Sequence, residues 1–180
     1  SENWQIEAAE RGLPNLKTTP DAIPELIKPE AIALFEKYGV FNERELHSRY
    51  EVRLEQYVLT IAVEAKLVLE MGTTVILPAA IRYQTELTQN VATLKAAGVD
   101  ADTTLLTQVS GPISALTAGL ADLKAALGTH VEGAAEEALH YRDVVLPAMT
   151  AVREAADGLE GLVADDLWPL PTYQEMLYIL

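Results

Sequence analysis

The sequence contains no cysteine, and this absence excludes several kinds of chemistry at once. Disulfide frameworks, thiolate zinc sites and cysteine nucleophiles all need a sulfur atom that this chain lacks. Trp and Phe are also scarce, with two of each among 180 residues. The abundant residues are Ala, Leu, Glu and Val, a mixture that favours helices over sheets. The composition therefore predicts an all-α fold.

Positive charge is in short supply, since 13 Lys and Arg residues face 27 Asp and Glu residues and leave a net charge of −14. A chain this acidic repels phosphate backbones and anionic membrane surfaces. Long apolar runs are missing too, because the run Val75–Ile81 contains Pro78 and ends at Arg82. The first residues do not have the pattern of a secretory signal. We expect a cytoplasmic protein that binds neither nucleic acid nor membrane.

The stretch that organises the chain runs from Asn42 to Ala97 and is predicted to form one long helix. Asn42 is a favourable N-cap, and Glu45 is placed to close a capping box with it. Phe41 and Leu46 occupy the two positions of a hydrophobic staple. The helix is predicted to close at Gly98. Its length requires other helices to pack along it.

Two further helices are predicted, from Asp102 to about Leu127 and from His130 to about Val163. In all three helices, apolar residues recur at steps of four and three, which is typical of a stripe packed on neighbouring helices. The connections at 98–101 and 128–129 are short, so successive helices become antiparallel neighbours. The sequence therefore predicts an elongated antiparallel three-helix bundle with short flanking helices. Only Arg142 interrupts a stripe, and we interpret it as an arginine whose stem lies along apolar surface rather than as a ligand clamp.

A proline lies inside each long helix and predicts a kink. Pro78 should bend the first helix near Thr74, and Pro112 should kink the second. Pro147 lies in the third helix, in a context that repeats the one around Pro78. The two similar segments are Val75–Ala80 and Val144–Met149. This repetition suggests two bends that lie side by side.

We predict three parts, namely residues 1–41, the bundle at 42–165, and a proline-rich tail with a short helix at 166–180. Leu13, Leu16 and Ile23 are apolar, yet no obvious surface in this chain covers them. In the tail, Thr172 and Glu175 match a capping box. The apolar end of the tail is expected to dock on the bundle, with a missing partner or a neighbouring subunit as the alternative.

The best candidate for chemistry is the E-x-x-H pair Glu137 and His140. Helical bundles use this spacing to present a carboxylate and an imidazole to a di-iron site. Such a site needs a second pair, but His47 and His130 have no acidic residue three positions earlier. Ser110 lacks the glycine pattern of a nucleophile elbow. We assign no catalytic, cofactor-binding or metal residue, and a di-metal bundle enzyme is kept as a less favoured alternative.

Several separated strings, taken together and in order, resemble the carboxyl-terminal region of type III glutamine synthetases, the large-subunit bacterial form. The strings are Gly12–Ala22, Leu34–Val40, Ser48–Glu51, Leu54–Tyr57, Ile76–Gln84 and Trp168–Tyr173. The resemblance runs from near residue 4 to residue 175. Between about 99 and 140, only the helical pattern supports it.

This resemblance implies a parent enzyme that makes glutamine from glutamate and ammonia with ATP and Mg or Mn, in large ring-shaped oligomers. It places the metal-binding and nucleotide-binding residues upstream, and none of those motifs occurs in this chain. It implies that Leu13–Tyr57 is the last piece of the catalytic core and that a helical extension follows. The expected partners are therefore the catalytic core of the same chain and neighbouring subunits. A stand-alone helical scaffold is the alternative from another class.

Overall fold

A computed structural model describes residues 2–171 and 173–178. The regular structure of these residues is helical throughout, with no strand among them, which confirms the all-α prediction. A 3₁₀ helix covers Ile23–Ile27, and two π turns join α4 to α5 (the first π turn, Gly72–Ile76) and α7 to α8 (the second π turn, Tyr141–Val145). The α-helices are α1 (Glu2–Glu10), α2 (Thr19–Ala22), α3 (Pro29–Lys37), α4 (Glu43–Met71), α5 (Leu77–Ala96), α6 (Thr104–Gly128), α7 (Ala134–His140), α8 (Leu146–Glu160) and α9 (Tyr173–Leu177).

The start of α4 carries the predicted capping box. The Asn42 N–H donates to Glu45 Oε2, and the Glu45 N–H donates to Asn42 Oδ1, each at 2.9 Å. At the other end, α5 stops where Gly98 adopts a φ of 76°. The Gly98 and Val99 N–H groups there bond back to the carbonyls of Lys95 and Leu94, a left-handed helix end that glycine adopts without strain.

The helix predicted from Asn42 to Ala97 is continuous, but its turn before Pro78 is a π turn. The Leu77 N–H bonds to the Gly72 carbonyl, five residues back instead of four. A proline cannot donate to the carbonyl four residues earlier, and its ring crowds that carbonyl. Widening the turn before Pro78 relieves both problems. The helix geometry therefore changes near Thr74, in the form of one extra residue in a single turn. The bend expected there stays a prediction.

The second π turn repeats this arrangement at Pro147. In both places the π turn ends two residues before the proline, and the next helix begins with Leu-Pro. The last residue of each π turn, Ile76 or Val145, is buried. Helix α8 packs against the first π turn. The similarity between the two segments therefore reflects the same backbone solution to the same steric problem.

The third long helix begins and ends inside the predicted limits. Gly133 has a φ of 93° and lies outside the helix, so α7 begins at Ala134 rather than at His130. At the other end, α8 stops at Glu160, and Val163 is buried in a turn that follows. Helix α6 runs through Pro112 as one α-helix. The kink expected at this proline stays a prediction.

The chain divides into two compact units. Unit 1 contains residues 1–61 and 130–143, and unit 2 contains residues 62–129 and 144–180. Each unit is described by itself below.

In unit 2, α6 packs on α5 and on α8. The direction of packing follows from pairs of contacts along each helix. Gln84 Nε2 donates to Ser110 Oγ at 2.9 Å, and further along, Gly72 lies against Leu120, so the first helix and α6 run antiparallel. Helices α6 and α8 are likewise antiparallel, because Gly119 lies against Val152 and Pro112 lies against Gly158. The predicted antiparallel three-helix bundle is confirmed in this unit.

Unit 1 has a smaller core, and it corrects the prediction that nothing in this chain covers the segment before Pro24. Pro20 is buried. Ile23 packs on a cluster formed by Leu54, Val58 and Ala138. Pro20 and Ile23 of that segment therefore have their packing surface within unit 1.

Arg142 lies in the second π turn as the centre of an ion-pair network, a role that the sequence did not predict. Its Nη1 donates to Asp21 Oδ1 at 2.5 Å, while Nε and Nη2 donate to the two oxygens of Asp143 at 2.6 and 2.7 Å. The hydrogen bonds from Arg142 lower the pKa of Asp143. Thr18 Oγ1 donates to the other oxygen of Asp21 at 2.6 Å. Arg142 therefore fixes α2 to the second π turn within unit 1.

Replacing Gly72 by alanine should destabilise unit 2. The new Cβ would lie 2.6 Å from Leu120 Cδ2, so the leucine side chain must move out of its packed position. We expect a loss of about 1–3 kcal/mol in the free energy of unfolding, measured by urea denaturation.

Gly158→Ala is the matched control, since its Cβ would meet only Pro112 atoms at 4.0 Å, an ordinary contact. This control should gain about 0.5–1 kcal/mol, because alanine favours the helix interior. Equal effects of the two substitutions would contradict the packing assigned to the first π turn.

Asp21→Asn should weaken unit 1, because it removes a charged partner of Arg142. A double-mutant cycle with Arg142→Gln should give a coupling of about 1 kcal/mol in urea unfolding, since the pair is partly shielded from water. The pair of Arg153 and Asp157 is an exposed i,i+4 control with N–O distances of 3.0 Å. Its cycle should give about 0.3–0.5 kcal/mol. A coupling for Asp21 and Arg142 below that of the control would show that the network does not hold α2.

Candidate docking surface

Exposed apolar side chains gather in the first 40 residues of unit 1. These residues lie on α1, on the proline-rich segment after it, and on α3. The set, which we call the amino-terminal apolar surface, consists of Trp4, Ile6, Leu13, Leu16, Leu34, Tyr38 and Val40. Single exposed apolar residues are ordinary, whereas contiguous ones are typical of a docking surface. Residues of this set are therefore informative where they share one helix face.

Helix α3 has an uncovered apolar face. No residue of α3 is buried. Leu34 and Tyr38 are four residues apart on one face, and they are 55% and 68% exposed. Phe35 points elsewhere, with its ring centroid 5.8 Å from that of Phe41. The sequence predicts one apolar side for this helix, whereas the structure separates an inner contact from an uncovered outer face. An amphipathic helix normally covers its apolar face.

The corner between α3 and α4 holds this surface in place. The Glu43 N–H donates to Glu36 Oε1 at 3.3 Å, which links the start of α4 to α3. The Arg49 guanidinium lies 4.1 Å from the centroid of the Phe41 ring, a cation–π contact. Together with the capping box, these contacts fix the orientation of α3 at the start of α4.

A basic patch lies beside this corner. Three arginines and one glutamate line a shallow depression of about 770 Å³ on the first turns of α4. The full lining consists of Arg44, Arg49, Arg53, Glu45, Asn42, Ser48, Gln56 and Val52. Local positive charge in a chain with a net charge of −14 is suited to acidic groups on a partner. This patch is not apparent from the sequence, because glutamates alternate with the arginines along the chain. Only the folded helix shows which of these residues share a face.

The E-x-x-H pair is part of the packing of unit 1. The His140 ring contacts the Tyr141 ring edge-on, with centroids 6.1 Å apart. Glu137 is half-buried. Within residues 2–171 and 173–178, no group of three or more His, Cys, Asp or Glu residues is arranged to hold a metal ion. The geometry thus offers no ligand set for the di-metal alternative in that part of the chain.

Ser110 is held in structural hydrogen bonds of unit 2. Its Oγ donates to the Leu106 carbonyl at 2.6 Å and accepts from Gln84 Nε2. None of the helices in the described part of the chain combines the length and the apolar character that a membrane-crossing span requires.

Known proteins resemble this chain along nearly its whole length. A family model described as the glutamine synthetase C-terminal domain matches residues 1–95. Curated relatives named glutamine synthetase come from Bacteroides fragilis (31% identity over 188 residues, 99% of this chain and 26% of the relative) and Butyrivibrio fibrisolvens (34% over 189 residues, 100% and 27%). A type-3 glutamine synthetase from Dictyostelium discoideum is 29% identical over 189 residues, which cover 99% of this chain and 26% of the relative.

The chain thus spans about a quarter of the length of the relatives it matches. The matches agree with the resemblance to type III enzymes found in the separated sequence strings. This chain belongs to the glutamine synthetase C-terminal domain family.

Proposed function

We propose that this chain is a non-catalytic helical domain of a type III glutamine synthetase, which packs on the catalytic core and contributes to oligomer assembly. The parent reaction would be the ATP-dependent ligation of ammonia to glutamate, carried out in the cytoplasm. The expected partners are the catalytic core of the same chain and neighbouring subunits. The observation that carries this proposal is the uncovered outer face of α3.

The amino-terminal apolar surface supports packing on the core for an energetic reason. Each large apolar side chain that is moved from water into a packed contact contributes about 1.5–3 kcal/mol. Leu34 and Tyr38 alone therefore represent a substantial gain for a partner with a matching groove. The basic patch at Arg44 and Arg53 adds a condition, since it favours an acidic partner surface beside the apolar one.

ATP and the Mg or Mn ion of the parent reaction find no matching residues here. The described residues present no carboxylate and histidine cluster for a divalent cation. The sequence likewise has no glycine-rich phosphate loop. We propose that metal and nucleotide bind to other parts of the parent protein, as the family resemblance implies, and we derive no catalytic step from this chain.

Charge placed on the outer face of α3 should separate docking from folding. In the full-length gene product, the double variant Leu34→Glu with Tyr38→Glu should lose assembled enzyme and melt at a lower temperature, because a buried carboxylate in the contact is costly. In the 180-residue chain alone, the free energy of unfolding of the same variant should lie within about 0.5 kcal/mol of the wild-type value, since both side chains are exposed there.

Val99→Glu is the control for added charge at an exposed apolar position, because Val99 is 51% exposed and lies in unit 2 after α5. It should assemble like the wild type. Sedimentation velocity and calorimetry of all three full-length proteins provide the comparison. Normal assembly and melting of the double variant would refute packing through this face.

A further inference from the structure

Unit 2 contains a groove beside the first π turn, with a volume of about 470 Å³. Its apolar lining includes Leu69, Leu77, Leu120 and Ala121. Leu120 is fixed there because its side chain lies against Gly72. A lining of this kind suits a compact apolar group.

Three charged side chains also line the groove, namely the cations Lys66 and Lys124 and the carboxylate of Glu70. All three are exposed, and none of them forms an ion pair among the residues that the structure describes. Lys66 and Glu70 are one helical turn apart, but a lysine that precedes its glutamate is the less favourable order for such a pair. The groove therefore offers charges of both signs to a ligand.

The charges are ordered along the groove. Gly72 lies against Leu120, and α6 runs antiparallel to α4 and α5, so Lys66 and Lys124 lie toward the same end. At a rise of about 1.5 Å per residue, Lys66 is about 9 Å before Gly72 and Lys124 is about 6 Å beyond Leu120. Glu70 lies between this basic end and the π turn.

The π turn adds a hydrogen-bond acceptor on the side of the groove away from the lysines. In an α-helix the Thr73 carbonyl would accept from the Leu77 N–H, but that N–H bonds to the Gly72 carbonyl instead. The next residue, Pro78, has no N–H to donate. Thr73 is exposed and lines the groove. Its carbonyl is therefore available to a donor from outside the helix.

The groove is open to a ligand from solution, because its lining comes from α4, the first π turn, α5 and α6. Near the end of the tail, Met176, Leu177 and Tyr178 are 56%, 75% and 66% exposed, so the expected docking of this end on the bundle is not found. The capping box predicted at Thr172 falls on a residue outside the described ranges.

We propose that this groove binds a small zwitterion with an apolar side chain, of the chemical class of the apolar α-amino acids. The ligand carboxylate pairs with Lys66 and Lys124, and its ammonium group donates to Glu70 and to the Thr73 carbonyl. The apolar side chain lies on the leucines of the groove. Because one carbon separates the two charges of an α-amino acid, it can bridge a lysine and a glutamate one turn apart. This inference is independent of the assembly role proposed above.

A ligand titration followed by NMR of the isotope-labelled 180-residue chain tests this site directly. L-Phenylalanine should shift the amide signals of Gly72 and Leu120 saturably, with millimolar affinity because the groove is open. Hydrocinnamate lacks the ammonium group, phenethylamine lacks the carboxylate, and L-glutamate lacks the apolar side chain, so each should bind several-fold more weakly. No shift with L-phenylalanine, or equal affinity for any of the three analogues, would overturn the proposal.

Charge-neutralising variants assign each ligand group to its partner. Glu70→Gln should weaken L-phenylalanine several-fold but not hydrocinnamate, since only the ammonium group loses its partner. Lys66→Gln with Lys124→Gln should weaken L-phenylalanine and hydrocinnamate but not phenethylamine. Glu86→Gln and Lys95→Gln change exposed residues of α5 outside the lining, and they should bind L-phenylalanine like the wild type. Equal losses for all ligands in Glu70→Gln would indicate a structural effect and contradict the assignment.

A shortened chain that ends at Pro171 tests whether the tail itself occupies the groove. The described side chains after Pro171 are exposed, so the amide signals of Gly72 and Leu120 and the affinity for L-phenylalanine should not change. A shift of these signals on removal of the tail would place the tail in the groove and overturn the proposal.

Discussion

The structure depends on how two helices continue through a proline. A proline in a helix interior removes one hydrogen bond and crowds a carbonyl, at a cost of about 3 kcal/mol. Both π turns place their extra residue just before Leu-Pro, so the proline becomes the second residue of a new helix. At that position the missing N–H removes no required bond. The chain thereby keeps long helices, and these helices carry the bundle.

Small residues lie where helices of unit 2 meet. Gly72 belongs to the first π turn and receives the Leu120 side chain, while Gly119 of α6 lies against the backbone of Val152. A larger residue at either site would push the helices apart, whereas glycine lets side chains pack onto main chain. Packing at this distance increases the number of dispersion contacts per residue. The core of unit 2 thus depends on its glycines as well as on its leucines.

The features that the sequence predicted are those decided within a few residues of chain. The capping box at Asn42, the helix end at Gly98 and the apolar stripes follow from local spacing, and all are observed. The role of Arg142 could not be predicted this way, since its partner Asp21 lies 121 positions away. The late start of α7 depends on the positive φ of Gly133, which a helical pattern does not specify. The spacing of apolar residues in α3 predicts a single apolar side. Periodicity alone cannot tell which of these residues another part of the chain covers.

The two units differ in how much apolar surface they bury for themselves. Unit 2 buries residues along α6 and α8 as well as at its π turn, although Val63, Leu67 and Ile81 remain exposed. Unit 1 buries a small cluster around Leu54 and relies on an ion-pair network to hold α2. Small cores are only marginally stable. A small unit buries a smaller fraction of its surface, while every ordered residue still costs conformational entropy. The apolar residues of α1 and α3 that stay exposed therefore add nothing to the small core of unit 1.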